Sequence, residues 1–202
     1  MSGAAPVAFY FEFSSPYGYI ASQVADELEQ RIGRPLDWRP ILLGPVFKVT
    51  GQAPLTQVPL KGDYSKRDFD RSARHLKVPY RHPDNFPIGT VAACRAFYWL
   101  KDRDPRAARE LAKALYKAYF VDNRDIGTPV TVLAVAQETG IDAAALEAAI
   151  GELPVKERVK REVDAAIAAG VFGSPFFIAD GEPFWGVDRI PMLEAWVHSG
   201  GW

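Results

Sequence analysis

The chain has 202 residues, of which 48% are hydrophobic and 24% charged, with a net charge of -1. That length and composition suit one well-packed globular domain carrying an insertion, and the near-neutral balance gives no electrostatic footprint for nucleic acid. The single cysteine, Cys94, excludes an intrachain disulfide and a Cys-x-x-Cys pair, and His75, His82 and His198 are too scattered for a metal motif, so no metal site is expected.

The opening MSGAAPVAFYFEF lacks the basic stretch and apolar core of a signal peptide, and no window approaches the roughly 18 apolar residues of a membrane span. A cytoplasmic location without membrane partners is expected. Residues 7–13, VAFYFEF, are rich in β-branched and aromatic types and predict a strand. Pro16 suits the first turn of a helix, where its missing N–H would be unpaired anyway. Tyr17, Ile20, Ala21, Val24, Leu28 and Ile32 then recur at helical spacing as far as Gly33, which is placed to end the helix. A second strand is expected at 35–42, and this β-α-β opening favours parallel pairing.

Residues 43–61 hold several Gly and Pro and read as a loop. Helices are expected over 62–77, 89–102, 105–121, 129–139, 141–150 and 154–170. The segment PFFIADGEPFWG places two apolar runs around Asp180-Gly181, a hairpin signal because Asp-Gly tolerates positive φ. A last helix is expected at 188–197 with Asp188 near its start as a cap. The order β-α-β, helical block, β-β-α outlines an α/β, thioredoxin-like fold with an all-helical insertion between the βαβ and ββα halves. Residues 1–42 and 165–202 would form the thioredoxin-like domain, and 43–164 the loop and helical insertion.

In such a fold the reactive group sits where the first strand meets the first helix, among unpaired N–H groups carrying partial positive charge. Redox members place Cys-Pro-x-Cys there, and a thiolate is stabilised. This chain has Ser15-Pro16-Tyr17-Gly18 instead. Disulfide exchange is closed to Ser15, yet its hydroxyl can donate to a sulfur supplied by another molecule, for which glutathione is the obvious candidate. Ser174-Pro175 stands where these folds put a cis-proline whose preceding backbone pairs with an extended peptide. The bland readings are also open. Ser14-Ser15-Pro16 could be an N-cap alone, Asp188 a cap, Lys61 a solvated loop residue and Arg189 a surface ion-pair former. Cys94 fits a buried small hydrophobe, and Trp38, Trp99, Trp185 and Trp196 fit core or interface positions.

FYFEFSSPYGYIA, followed much later by GSPFFIADGEPFWGVDRIPMLE, resembles the 2-hydroxychromene-2-carboxylate isomerase family, close to the kappa-class glutathione transferases in the DsbA-like branch of thioredoxin folds. The likeness runs nearly end to end and includes the rhythm Lys61, Tyr64, Asp68, Arg71. It implies a homodimeric, glutathione-dependent enzyme of aromatic-compound catabolism in which Ser15 contacts the glutathione sulfur. It further implies that Ser174 and Pro175 pair with the cysteinyl backbone, Lys61 reaches the glycyl carboxylate, and Asp188 and Arg189 hold the γ-glutamyl end. Gln52 falls where the family often has asparagine, and Gly18 where the isomerases often have serine, a departure that bears on specificity. Asn85 and Phe86 resemble a segment near the aromatic substrate pocket. The competing readings are a kappa-like transferase acting on electrophiles, a non-enzymatic binding module on a decayed redox fold, and a dithiol oxidoreductase, which would need Cys94 exposed near Ser15.

Overall fold

A computed structural model describes residues 5–202. Four strands form one mixed sheet in the order β2-β1-β3-β4, where β1 is Val7–Phe11, β2 Leu36–Pro40, β3 Phe176–Ala179 and β4 Glu182–Trp185. β1 runs parallel to β2 and antiparallel to β3, and β3 is antiparallel to β4. The parallel pair is joined by α1 (Pro16–Ile32), and the β3–β4 hairpin turns at Asp180 and Gly181, whose φ values of 54° and 91° make a type I′ turn.

Between β2 and β3 the chain forms α2 (Leu43–Thr50), α3 (Lys61–His75), α4 (Val91–Lys101), α5 (Pro105–Phe120), α6 (Pro129–Glu138), α7 (Ala143–Ile150) and α8 (Leu153–Ala168). α9 (Ile190–Ser199) closes the chain. Two expectations are corrected here. The span 43–61 is no loop: it contains α2 and a 3₁₀ turn at Leu55–Gln57. The Gly and Pro that suggest a loop sit at the ends of α2, with Gly44-Pro45 in its first turn and Gly51 beyond its last at φ 71°. The final helix begins at Ile190 behind a 3₁₀ turn, Val187–Arg189, and no side chain caps it, so Asp188 is not its cap.

Strand alternation divides the core. Val7, Phe9, Phe11, Leu36, Trp38 and Phe177 face a cluster shared with α1, α4, α5 and α9, while Tyr10 and Phe176 face Val46 of α2 and Ala166 of α8. Phe9 and Phe177, opposite one another in the ladder, stack at 4.9 Å, and Phe11 meets Phe97 of α4 and Tyr116 of α5 edge-on or tilted at 5.9 and 5.7 Å. The sheet and the helical block therefore share one apolar core. Arg34, almost wholly buried, ties β2's entrance to the hairpin by a bidentate bond to Asp180 at 2.6 and 2.9 Å. Among the described residues, no helix is long and apolar enough to cross a membrane. Truncating Phe177 to Ala removes the centre of this stack. The expected loss is about 3–5 kcal/mol in urea unfolding with the slope unchanged.

Candidate active site

β1 stops at Phe11, two residues short of the expected strand, because Glu12 directs its backbone elsewhere. Its N–H donates to Ser174 Oγ at 3.0 Å, and its carbonyl accepts from Ser15 N at 2.9 Å and from Tyr116 Oη at 2.9 Å. The chain thus turns through Ser14 into α1. Ser15 is the N-cap in extended conformation, its Oγ accepting from Gly18 N at 3.1 Å, with Pro16 in the first turn. The capping reading of Ser15 holds, and it does not exhaust the residue. The same hydroxyl donates to the Ser174 carbonyl at 3.1 Å. Ser14, Ser15 and Ser174 are all buried. No acidic residue occupies the first turn of α1, so its positive end is not neutralised from within the helix.

The Ser174–Pro175 peptide is cis, and Pro175 O accepts from Gly186 N at 3.0 Å, which anchors the β4 end of the hairpin beside the turn. Gly18 explains itself sterically. A Cβ there would lie 2.6 Å from Ser174 Oγ and 2.7 Å from Tyr116 Oη, so glycine is what allows these two hydroxyls to close over the first turn of α1. Gly173 likewise lies under the indole of Trp185, whose Nε1 would be 2.3 Å from an added Cβ. Trp185 is itself half-exposed, which rules out the core alternative of the core-or-interface expectation.

A row of rings flanks the turn. Tyr17 packs edge-on against Phe69 of α3 at 4.9 Å, Phe69 stacks with His82 at 6.2 Å, and His82 meets Phe86 at 4.8 Å. Burial holds the His82 imidazole below its usual proton affinity, assisted by Lys66, and its Nδ1 pairs with Tyr80 Oη at 2.9 Å. The Phe86–Pro87 peptide is cis, and the following Ile88 N–H donates to Ser14 Oγ at 3.1 Å, which fixes this segment against the Ser14-Ser15 turn. Asn85 is bound at both ends, its side chain to Asp125 at 2.8 Å and its carbonyl to Tyr119 Oη at 2.7 Å. Three of the four rhythm residues form one network: Tyr17 Oη donates to Asp68, Asp68 pairs with Arg71, and Arg71 reaches Tyr64 Oη at 3.0 Å.

The remaining candidates lie outside this hydrogen-bonded knot. Lys61, the first residue of α3, is exposed, and its ammonium meets no partner among the described residues. Its backbone N–H closes a γ-turn onto Pro59 O at 2.8 Å, with Leu60 at φ 67° as the apex. Gln52 is exposed in the loop after α2. Asp188 and Arg189 bind each other at 2.8 Å, and Arg189 also lines an outer groove with Trp185, Met192, Trp196 and Trp202. Cys94 is fully buried in α4, and burial, with Glu12 nearby, pushes its thiol well above the usual range, which closes the dithiol reading. No group of three or more His, Cys, Asp or Glu among the described residues could hold a metal ion.

Sequence reasoning missed Glu12. Its carboxylate accepts from Ser14 N at 2.8 Å and from Thr90 Oγ1, in full burial. Desolvation outweighs these two bonds and pushes its pKa from 4.5 up to about 7. The available signal was a lone carboxylate inside the aromatic run VAFYFEF.

A family model described as a DSBA-like thioredoxin domain matches residues 6–197. The chain belongs to this family. Among curated relatives, the 2-hydroxychromene-2-carboxylate isomerase of Sphingobium xenophagum is 29% identical over 198 residues, 95% of this chain and 97% of its own length. Glutathione S-transferase kappa 1 of Homo sapiens is 26% identical over 199 residues, 93% of this chain and 88% of its own. A solved 2-hydroxychromene-2-carboxylate isomerase superposes with a TM-score of 0.85 at 27% identity, covering 96% of this chain and 94% of that one. The relatives within the family are thus named as an isomerase and as glutathione transferases, and both kinds align along nearly the whole chain.

Two outcomes follow from this geometry. Gly18→Ala forces Ser174 and Tyr116 apart and is expected to cost about 1–3 kcal/mol despite alanine's better helix propensity, read as a lower urea midpoint. Because the folded-state pKa of Glu12 lies above its usual 4.5, the native protein holds the proton more tightly than the unfolded chain, and stability falls as pH rises from 4.5 to about 7. Glu12→Gln is expected to remove a slope worth on the order of 3 kcal/mol across that window, at about 1.4 kcal/mol per pH unit, measured by denaturation at a series of pH values.

Proposed function

We propose that this chain is a glutathione-dependent isomerase that interconverts 2-hydroxychromene-2-carboxylate and trans-o-hydroxybenzylidenepyruvate, or a related intermediate of aromatic catabolism. The observation that carries this reading is the buried Ser15 hydroxyl at the positive end of α1, bonded to the carbonyl of Ser174 just before a cis-proline, in a chain with no sulfur of its own there. These residues fit a thiol peptide: one hydroxyl and a helix N-terminus for the sulfur, and a peptide carbonyl for a backbone N–H.

Bound glutathione would supply a thiolate that adds to the unsaturated ring and is released once the opened chain has rotated about a single bond. The protein's part is positioning and electrostatics. Ser15 turns its O–H from the Ser174 carbonyl toward the sulfur and keeps the Gly18 N–H as its own donor. The Ser174 carbonyl, released by that rotation, accepts the cysteinyl N–H, so one bond is exchanged for two and the buried carbonyl stays satisfied. Lys61, exposed and without a partner among the described residues, supplies a cation for the glycyl carboxylate, with Gln52 on the neighbouring loop. Asp188 meets the γ-glutamyl ammonium after loosening its pair with Arg189, which is exposed and weak. Tyr17, His82 and Phe86, each partly buried and backed by the buried Phe69, offer ring surface to an aromatic substrate. The same reading takes the working form as a homodimer in the cytoplasm.

The kappa-like transferase is the second reading, because the human kappa 1 relative aligns with 93% of this chain, nearly the share covered by the isomerases. It uses the same glutathione contacts on an electrophilic acceptor. Ser15→Ala is expected to lower glutathione-dependent turnover of 2-hydroxychromene-2-carboxylate ~10–1000-fold, as for loss of one positioned donor. Calorimetry should show glutathione still bound, with its thiol less acidic. Unchanged turnover would overturn the role of Ser15. Turnover of a chlorodinitroaryl acceptor without turnover of the chromene would select the transferase.

A further inference from the structure

Glu12 joins every part of the Ser15 site. Its backbone binds Ser174, Ser15 and Tyr116, and its carboxylate binds the Ser14 N–H and the Thr90 hydroxyl. Ser14 in turn holds Ile88, so the carboxylate sits on the path between the Ser14-Ser15 turn and the ring row that ends at Phe86. No lysine, arginine or histidine among the described residues is bonded to it. The groups that face it are Ser14 on its own turn, Thr90 and Cys94 at α4, Tyr116 and Tyr119 of α5, and Ser174 before β3. All are neutral at physiological pH, and the titratable ones can only become anionic. A carboxylate so placed has hydrogen bonds but no countercharge. Three residues on, at Ser15, the N-terminus of α1 is shaped for a second anion.

We propose that Glu12 is a positioning residue whose buried carboxyl locks the Ser14-Ser15 turn to Thr90, and whose ionisation opposes that of a thiolate held at Ser15. The second half rests on the glutathione reading above. Two negative charges a few residues apart in a dry interior repel, and only the partial positive charge at the start of α1, with no side-chain cation bonded to Glu12 among the described residues, offsets them. When a thiol binds as thiolate, its proton leaves to solvent, and Glu12, where ionised, takes one back from solvent. Net proton release is then less than one per thiol bound. With Glu12 protonated, its remaining oxygen still accepts from Ser14 N, so the turn keeps its shape while the competing charge is removed.

Isothermal titration of glutathione into the full chain near neutral pH, in buffers of different ionisation enthalpy, counts the protons. Wild type is expected to release up to about half a proton fewer than Glu12→Gln, since a group that titrates near 7 is half ionised there. The glutamine is isosteric and can still accept from Ser14 N and donate to Thr90 Oγ1, so its fold is preserved. Thr90→Val, which strips a donor from the carboxylate, should move the titration of Glu12 to higher pH. Amide shifts of Ser14 and Ser15 in the ligand-free protein read the positioning half directly. They should titrate near neutral pH in wild type, later in Thr90→Val, and lose that step in Glu12→Gln. Binding with equal proton release in wild type and Glu12→Gln overturns the coupling. A Ser14 step that persists in Glu12→Gln overturns the positioning role. Absence of glutathione binding to wild type overturns the glutathione reading and the coupling with it, while the amide titration still decides the positioning role.

Discussion

A buried helix start must find partners for its backbone inside the protein, since water cannot supply them. Here the Ser14-Ser15 turn and the first turn of α1 lie beneath the surface, at 6% and 8% exposure for the two serines. Their N–H groups are satisfied by Glu12 and by the Ser15 hydroxyl, which itself donates across the core to the Ser174 carbonyl. The rest of the arrangement depends on this requirement. It explains why Gly18 has no side chain, why Tyr116 points its hydroxyl at Glu12 O, and why a carboxylate is tolerated among phenylalanines.

The same burial sets the electrostatic tone of the site. Hydrogen bonds and partial charges act more strongly where water is excluded, and an unpaired charge costs more. A helix end without acidic residues in its first turn favours an anion, and the carboxylate beside it does not. The ring row from Tyr17 to Phe86 adds a packed aromatic wall whose polar groups are tied up in the His82–Tyr80 and Tyr17–Asp68 pairs. The site therefore reads as a polar knot set in an aromatic shell.

Much of the fold is legible from local pattern. The aromatic run of β1, Pro16, Gly33 and the Asp180-Gly181 turn are short-range signals that act where they stand, and they place β1, α1 and the hairpin to within two residues. α2 was hidden because its glycines and proline mark its ends rather than a loop, and no periodic apolar stripe of useful length remains between them. Asp188 has the chemistry of a cap, but the 3₁₀ turn puts Arg189 at the cap position. Ser15 and Ser174 could be found because proline follows each. Glu12 could not be assigned, because its meaning comes from Thr90, Tyr116 and Ser174, which lie 78, 104 and 162 residues away in sequence.

That separation has a consequence for how the chain is made. β1 pairs with β2 through a short crossover, but its other edge is filled by β3, which is synthesised only after the whole helical block. Until residues 176–179 arrive, a strand reading VAFYF has one row of backbone donors and acceptors without a partner, the condition under which strands recruit foreign edges. The helical block is complete before then, and Phe97 and Tyr116 can cover the face of β1 but not its edge. The contacts that Ser174 makes to Glu12 and Ser15 therefore belong to the final closure of the sheet, and a nascent chain ending short of Ser174 holds the capped serine without that half of the site.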